Sequence, residues 1–247
     1  MQLLLQKCEY SDLAYISKTL DSYFSLTDDR KRKKLLLQYQ LQKSDQAELI
    51  ALLDKQIRYY GSSDIAYAAR QIFSHKGGVS VSELIDDVCK KCNVTVKKGG
   101  STALKLERLV KAVVERDLFS KTPEELAIAF EAIGVGKADK QQIINAFTQN
   151  GKVAVLPIIV EVLGPQIALC IIESIIISMM SQVIGKEAAK QLLKELVKKN
   201  PWMNALGPII WGISGAWIAL DLQGPAFRKT VPILLYLGVV AMRENGA

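Results

Sequence analysis

Histidine is the scarcest functional side chain here: one residue, His75, in 247. One imidazole excludes a three-histidine metal site and leaves little for a histidine relay. Standing just before Gly77-Gly78, His75 is expected to serve as a cation at a helix C-terminus. Cysteine is nearly as rare. Cys8, Cys89, Cys92 and Cys170 are too few and too scattered for a disulfide scaffold. Cys89-Lys-Lys-Cys92 has the spacing of a zinc or redox pair. Zinc needs two further ligands, with only Cys8 or His75 to recruit, and a thioredoxin-like site needs a βαβ pattern that is missing. No metal and no cofactor are therefore expected.

Catalytic signatures are missing as well. There is no GxSxG, no HExxH and no protein-kinase set. Gly134-Val-Gly-Lys137 imitates the end of a phosphate-binding loop, but position 131 is Glu and no strand pattern leads into it. A non-enzymatic protein is expected. Extended structure is equally thin, hinted at only around Val79 and over 93–96. Aromatic and basic residues do not alternate as an RNA-binding sheet requires, so no nucleic-acid partner is expected. The apolar run at Leu3 to Leu5 is too short for a signal peptide. The expected compartment is cytoplasmic, with peripheral contact at the inner face of the membrane.

Charge and grease are present in unequal shares. The formal net charge is +7, yet most cations sit among acids, and only Arg30-Lys31-Arg32-Lys33-Lys34 forms a run. Opening a helix, that run is expected to be a solvated face. Before Val153 there are 24 Lys/Arg and 19 Asp/Glu; the 95 residues from Val153 onward hold 8 and 6. The last third is the oily one.

Helix punctuation is frequent. Thr27-Asp28-Asp29 and Ser44-Asp45 open two helices, the second closed by Gly61. Ser63 starts a third, ending at Gly77-Gly78. Ser80 with Glu83 forms a capping box, Ser101 or Thr102 caps a longer helix, and Thr122-Pro123-Glu124-Glu125 combines cap, N1 proline and N3 glutamate. The class is all-α, a multi-helix bundle in which a very hydrophobic C-terminal helical pair is buried against amphipathic helices. The expected division is a helical module over 1–60, a second helical layer over 61–152 and a hydrophobic bundle or hairpin region over 153–247.

That pair is Gln166 to Ile184 and Trp202 to Leu220, separated by an amphipathic stretch, Lys186 to Lys199. Gly164-Pro165 sets the first boundary, because proline cannot continue a helical ladder. Each segment is long enough to cross a hydrocarbon core. The nine strongest apolar residues of the first favour insertion by roughly 3–5 kcal/mol, and Glu173 near its middle costs about 3 kcal/mol. A hairpin would also carry Lys186, Lys190, Lys194, Lys198 and Lys199 across the membrane. Burial against protein is the expectation, with conditional opening onto a bilayer as the alternative. The residues expected to meet a partner or membrane are Ile171, Ile175, Ile176, Met179, Trp202, Trp211 and Trp217. Glu161 and Glu173, in apolar sequence, are candidate proton sensors. Lys97-Lys98-Gly99-Gly100-Ser101, ahead of a helix, is a candidate anion site, with an ordinary loop and cap as its alternative.

Three short stretches carry a likeness. Tyr10-Ser11-Asp12-Leu13-Ala14-Tyr15, Tyr60-Gly61-Ser62-Ser63-Asp64-Ile65-Ala66 and Ala226-Phe227-Arg228-Lys229-Thr230-Val231-Pro232 resemble the uncharacterised bacterial YaaW-like family, which is grouped with ubiquinol–cytochrome c chaperones. The resemblance covers roughly Glu9 to Phe119 and the last 25 residues. It implies a helical, non-enzymatic protein with a chaperone or assembly role, and it carries no catalytic residues. The expected partner is another protein or a membrane surface, with a second copy of the chain also allowed.

Overall fold

The computed structural model describes residues 1–21, 28–42, 46–61, 78–132, 135–149, 155–185, 187, 190–192, 194 and 225–244. Several helices start where local chemistry says they should. After a single turn, α1 (Gln2–Leu5), Glu9 opens α2 (Tyr10–Leu20); Asp12 accepts from Glu9 N at 2.8 Å and closes a capping box. α3 (Asp29–Gln42) and α4 (Gln46–Tyr60) follow. Ser80 Oγ accepts from Glu83 N and caps α5 (Val81–Lys91), and Ser101 Oγ accepts from Leu104 N and caps α6 (Thr102–Phe119). At α7 (Pro123–Ala132) the box is reciprocal: Thr122 N donates to Glu125 at 2.8 Å and Glu125 N to Thr122 Oγ1 at 3.2 Å.

α8 (Lys137–Gln149) starts where the sequence imitates a phosphate loop. α9 (Val155–Leu163) and α10 (Pro165–Ile184) are separated by Gly164 at φ +84°, a conformation that suits glycine, with the Pro165 ring ending the previous ladder. The last helix, α11 (Pro225–Glu244), runs through Pro232. The class is all-α, and no strand occurs among the described residues; 79–80 and 93–96 are irregular.

α11 is the centre of the assembly. Lys229 through Met242 are buried without a break, as in a helix enclosed on every side. Its broadest contact is with α6, then α10, and it also meets α1, α2, α4 and α5. Gly238 permits the closest approach, because a Cβ there would stand 2.6 Å from the Leu106 carbonyl oxygen and 2.5 Å from a Val110 methyl. One continuous apolar core runs from Leu4 to Met242. α9 leans on α8, α10 and α6.

Among the described residues α10 packs most broadly against α11, then against α9 and α6. The expected second member of the pair, Trp202 to Leu220, lies outside the described residues, as do Trp202, Trp211, Trp217 and His75. Among the described residues no helix is long and apolar enough to cross a membrane. α10 has the length but carries Glu173 at its middle.

Candidate functional site

Two features stand out: a buried ionic seam that holds α2, α10 and α11 together, and an apolar groove beside it. In the seam, Tyr236 OH donates to Asp12 Oδ1 at 2.6 Å and Arg243 Nη1 donates to the same oxygen at 3.1 Å. Arg243 Nε donates to Glu173 of α10. The other Asp12 oxygen accepts the capping bond from Glu9 N. Asp12 and Glu173 are 3% and 2% exposed. Burial works against the guanidinium charge, and the carboxylates of Glu173 and Asp12, with Tyr236, overturn that and hold Arg243 above its ordinary range. Burial, then Asp12, pushes the Tyr236 phenol well up. The Tyr15 and Tyr236 rings pack 4.4 Å apart, and Tyr15 OH donates to Met180 Sδ at 3.0 Å. Every hydroxyl and carboxylate named here is held in a fixed bond, which is the arrangement of a clamp.

A second ionic knot lies at the other end of α2. Arg32 is fully buried. Its guanidinium donates to Ser17 Oγ at 2.9 Å, Asp29 Oδ1 and Gln56 Oε1 at 2.7 Å, and Asp21 Oδ1 at 2.6 Å. The basic run is thus not wholly a solvated face, since its middle member anchors three elements. Lys229 of α11 reaches the same end of α2. Its ammonium donates to the carbonyls of Leu20 (2.6 Å) and Asp21 (2.9 Å) and lies 3.9 Å from the Tyr60 ring centroid. A cation on the last carbonyls of a helix satisfies orphan acceptors and opposes the helix dipole.

The groove, about 500 Å³, is lined by Ala112, Leu156, Val160, Ala168, Leu169 and Ile172, with Lys111 and Glu115 beside them. Its walls are α6, α9 and α10. Val160 is 40% exposed there. Glu115 is spent on capping, since its two oxygens accept from Val155 N and Leu156 N at the start of α9. Burial raises its carboxyl pKa, and those two amides partly offset the rise. Lys111 makes no ion pair or hydrogen bond among the described residues.

The remaining candidates from the sequence fall as follows. Ile171, Ile175, Ile176 and Met179 are all buried in the chain's own core, so their surface is already taken in this state. Glu161 is exposed on α9 rather than enclosed in apolar surroundings. Glu173 is enclosed, and paired. Lys97, Lys98, Gly99, Gly100 and Ser101 do lie together, on an exposed loop with Gly99 and Gly100 at φ +92° and +89°. Arg108 ties that loop by donating to the carbonyls of Lys97 (3.0 Å) and Gly99 (2.8 Å), and the Ser101 hydroxyl is occupied by its cap. This is the geometry of a closed loop and cap. Among the described residues no His, Cys, Asp or Glu group is arranged to hold a metal. Burial pushes the Cys92 thiol up to about 12 and raises Cys89, so the CxxC pair is protonated at neutral pH.

Asp12, Arg32, Tyr236 and Arg243 were not legible as a set. Asp12 and Lys229 do lie inside the short stretches that carry the family likeness. Asp12, Tyr60 and Lys229 each take part in a contact between the first helices and α11.

Comparison with known proteins agrees on whole-length relatedness. The chain is 22% identical over 246 residues to a UPF0174 protein of Helicobacter pylori strain J99, covering 98% of this chain and 91% of the relative. A UPF0174 protein of strain 26695 is 24% identical over 204 residues, covering 81% and 90%. A further strain J99 UPF0174 protein is 23% identical over 207 residues, covering 80% and 90%. No protein-family model and no solved structure matches the chain. The relatives are bacterial, and the name they carry states no activity.

Proposed function

We propose that the chain is a non-enzymatic interaction or assembly protein that shelters an apolar helix of a partner protein in the α6–α9–α10 groove. One observation carries this reading: the groove is apolar, half-open and walled by three helices, the form that receives the apolar face of a helix in helix-in-groove recognition. Of the two ionisable groups beside it, Glu115 is committed to a helix cap. Lys111 has no partner among the described residues, so the favoured occupant is an apolar segment with an acidic residue where it meets that ammonium. The chaperone-like part follows the resemblance to the YaaW-like family.

A photo-crosslinker placed at Val160 in cells tests this directly, with Lys105 as the control position. Adducts to a protein are expected from Val160 alone, and Val160→Arg with a crosslinker at Leu169 should abolish them. Equal labelling from both positions would remove the groove from consideration.

A second reading, a bundle that opens onto a bilayer when pH or a partner triggers it, has one observation in its favour. α10 spans 20 residues with Glu173 as its only charge, and Arg243 meets that charge. Opening would part them, and separating a buried pair costs about 3–5 kcal/mol. On this reading Glu173→Gln releases dye from vesicles at neutral pH, whereas on the groove reading it does not.

A further inference from the structure

We infer that the outer face of α3 is a docking surface for an anionic membrane. At 100° per residue, Arg30, Lys34, Leu37 and Leu41 fall within one narrow stripe of the helix, over about 16 Å of its length. All four are exposed, Leu37 at 55% and Leu41 at 73%. The opposite side of the helix carries Leu35 and Arg32, both buried. α3 thus carries leucines on two sides, and packing against the core accounts for only one of them.

Charge identifies the occupant. Lys31 pairs with Glu48 at 2.6 Å and Lys33 with Asp21 at 3.1 Å, while Arg32 is buried among its partners. Arg30 and Lys34, the two cations on the stripe, make no ion pair or hydrogen bond among the described residues. No acid shares the stripe. Two such cations followed one turn later by two protruding leucines match a lipid surface, where a plane of phosphates overlies an apolar layer.

This surface lies on α3 and is independent of the groove. It also gives the chain a membrane contact that leaves the α10 isoleucines undisturbed in the core. The test is co-flotation of the full chain with phosphatidylcholine vesicles, with and without phosphatidylglycerol. Binding is expected only with the anionic lipid, and it should weaken as salt is raised. Arg30→Glu with Lys34→Glu should cut the partition coefficient about 30-fold, and Leu37→Ser or Leu41→Ser about 10-fold each. All these side chains point outward, so circular dichroism and melting should stay unchanged. Inorganic phosphate at matched ionic strength should not compete. Val160→Arg should leave vesicle binding intact, which keeps this result separate from that of the groove. Failure to bind anionic vesicles, or binding undiminished in the charge-reversed variant, would overturn the assignment. So would capture of an acidic amphipathic peptide in place of vesicles, which would give the face to a protein.

Discussion

Arg32 and Arg243 are both arginines held among carboxylates, yet they gather their partners from very different stretches of chain. Arg32 takes Ser17, Asp21, Asp29 and Gln56, all within 24 residues. Arg243 takes Glu173 from 70 residues away and Asp12 from 231. The first knot ties neighbouring helices α2, α3 and α4. The second ties the beginning of the chain to its end across α10. Asp117 and Lys121, four residues apart on and just beyond α6, form a third buried ionic contact among the described residues, and it is also a local one. Specification of this fold thus rests on charged contacts of increasing reach, each surrounded by the same apolar core.

The sharpest way to break the comparison is to replace each arginine by methionine. Arg243→Met strips the guanidinium from both Asp12 and Glu173, and a loss of about 3–5 kcal/mol is expected from urea unfolding. Arg32→Met should cost a similar amount at equilibrium. The two should differ in kinetics, with Arg243→Met mainly accelerating unfolding, because contacts of long sequence separation form late. Equal effects on the folding rates of both would erase the distinction. Next in size is Gly238→Ala. The new methyl meets the α6 backbone, so α11 has to shift, at a cost of about 1–3 kcal/mol.

The smallest effect has the opposite sign. Burial lifts the Asp117 carboxyl to about 6, although Lys121 and Arg116 pull it down. A folded value above the unfolded one means that the site favours the native state most below about pH 4. As pH climbs past 6 up to about 3 kcal/mol is lost there. Asp117→Asn is therefore expected to stabilise the protein at pH 7 by about 1–2 kcal/mol, Lys121 losing its partner charge in exchange. The advantage should shrink toward pH 4, as read from paired urea midpoints. A variant less stable than the parent at pH 7 would show that the Asp117–Lys121 pair is a net gain.

What was readable beforehand tracks the same gradient of reach. The caps at Ser80, Ser101 and Thr122 and the break at Gly164-Pro165 depend on residues three or four positions apart, and each appears where the spacing places it. α11 was hidden because Pro232 and the Arg228-Lys229 pair disguise a helix that is buried on all sides. The uncharged stretch from Trp202 lies outside the described residues. The buried member of the basic run was invisible for another reason: Arg32 differs from its neighbours only by facing α2 and α4, and no composition records that. Glu173 could be picked out as a charge in an oily helix, but nothing local named a partner 70 residues downstream.

The ammonium of Lys229 resting on the final carbonyls of α2 has a consequence for how the molecule is made. At roughly 5–20 residues per second, a ribosome that has finished Tyr60 needs on the order of ten to thirty seconds more before Pro225 is added. Throughout that interval the earliest helices have been synthesised while the rod they must wrap around has not. During translation those helices can pack on one another, and only the surface meant for α11 waits for its partner.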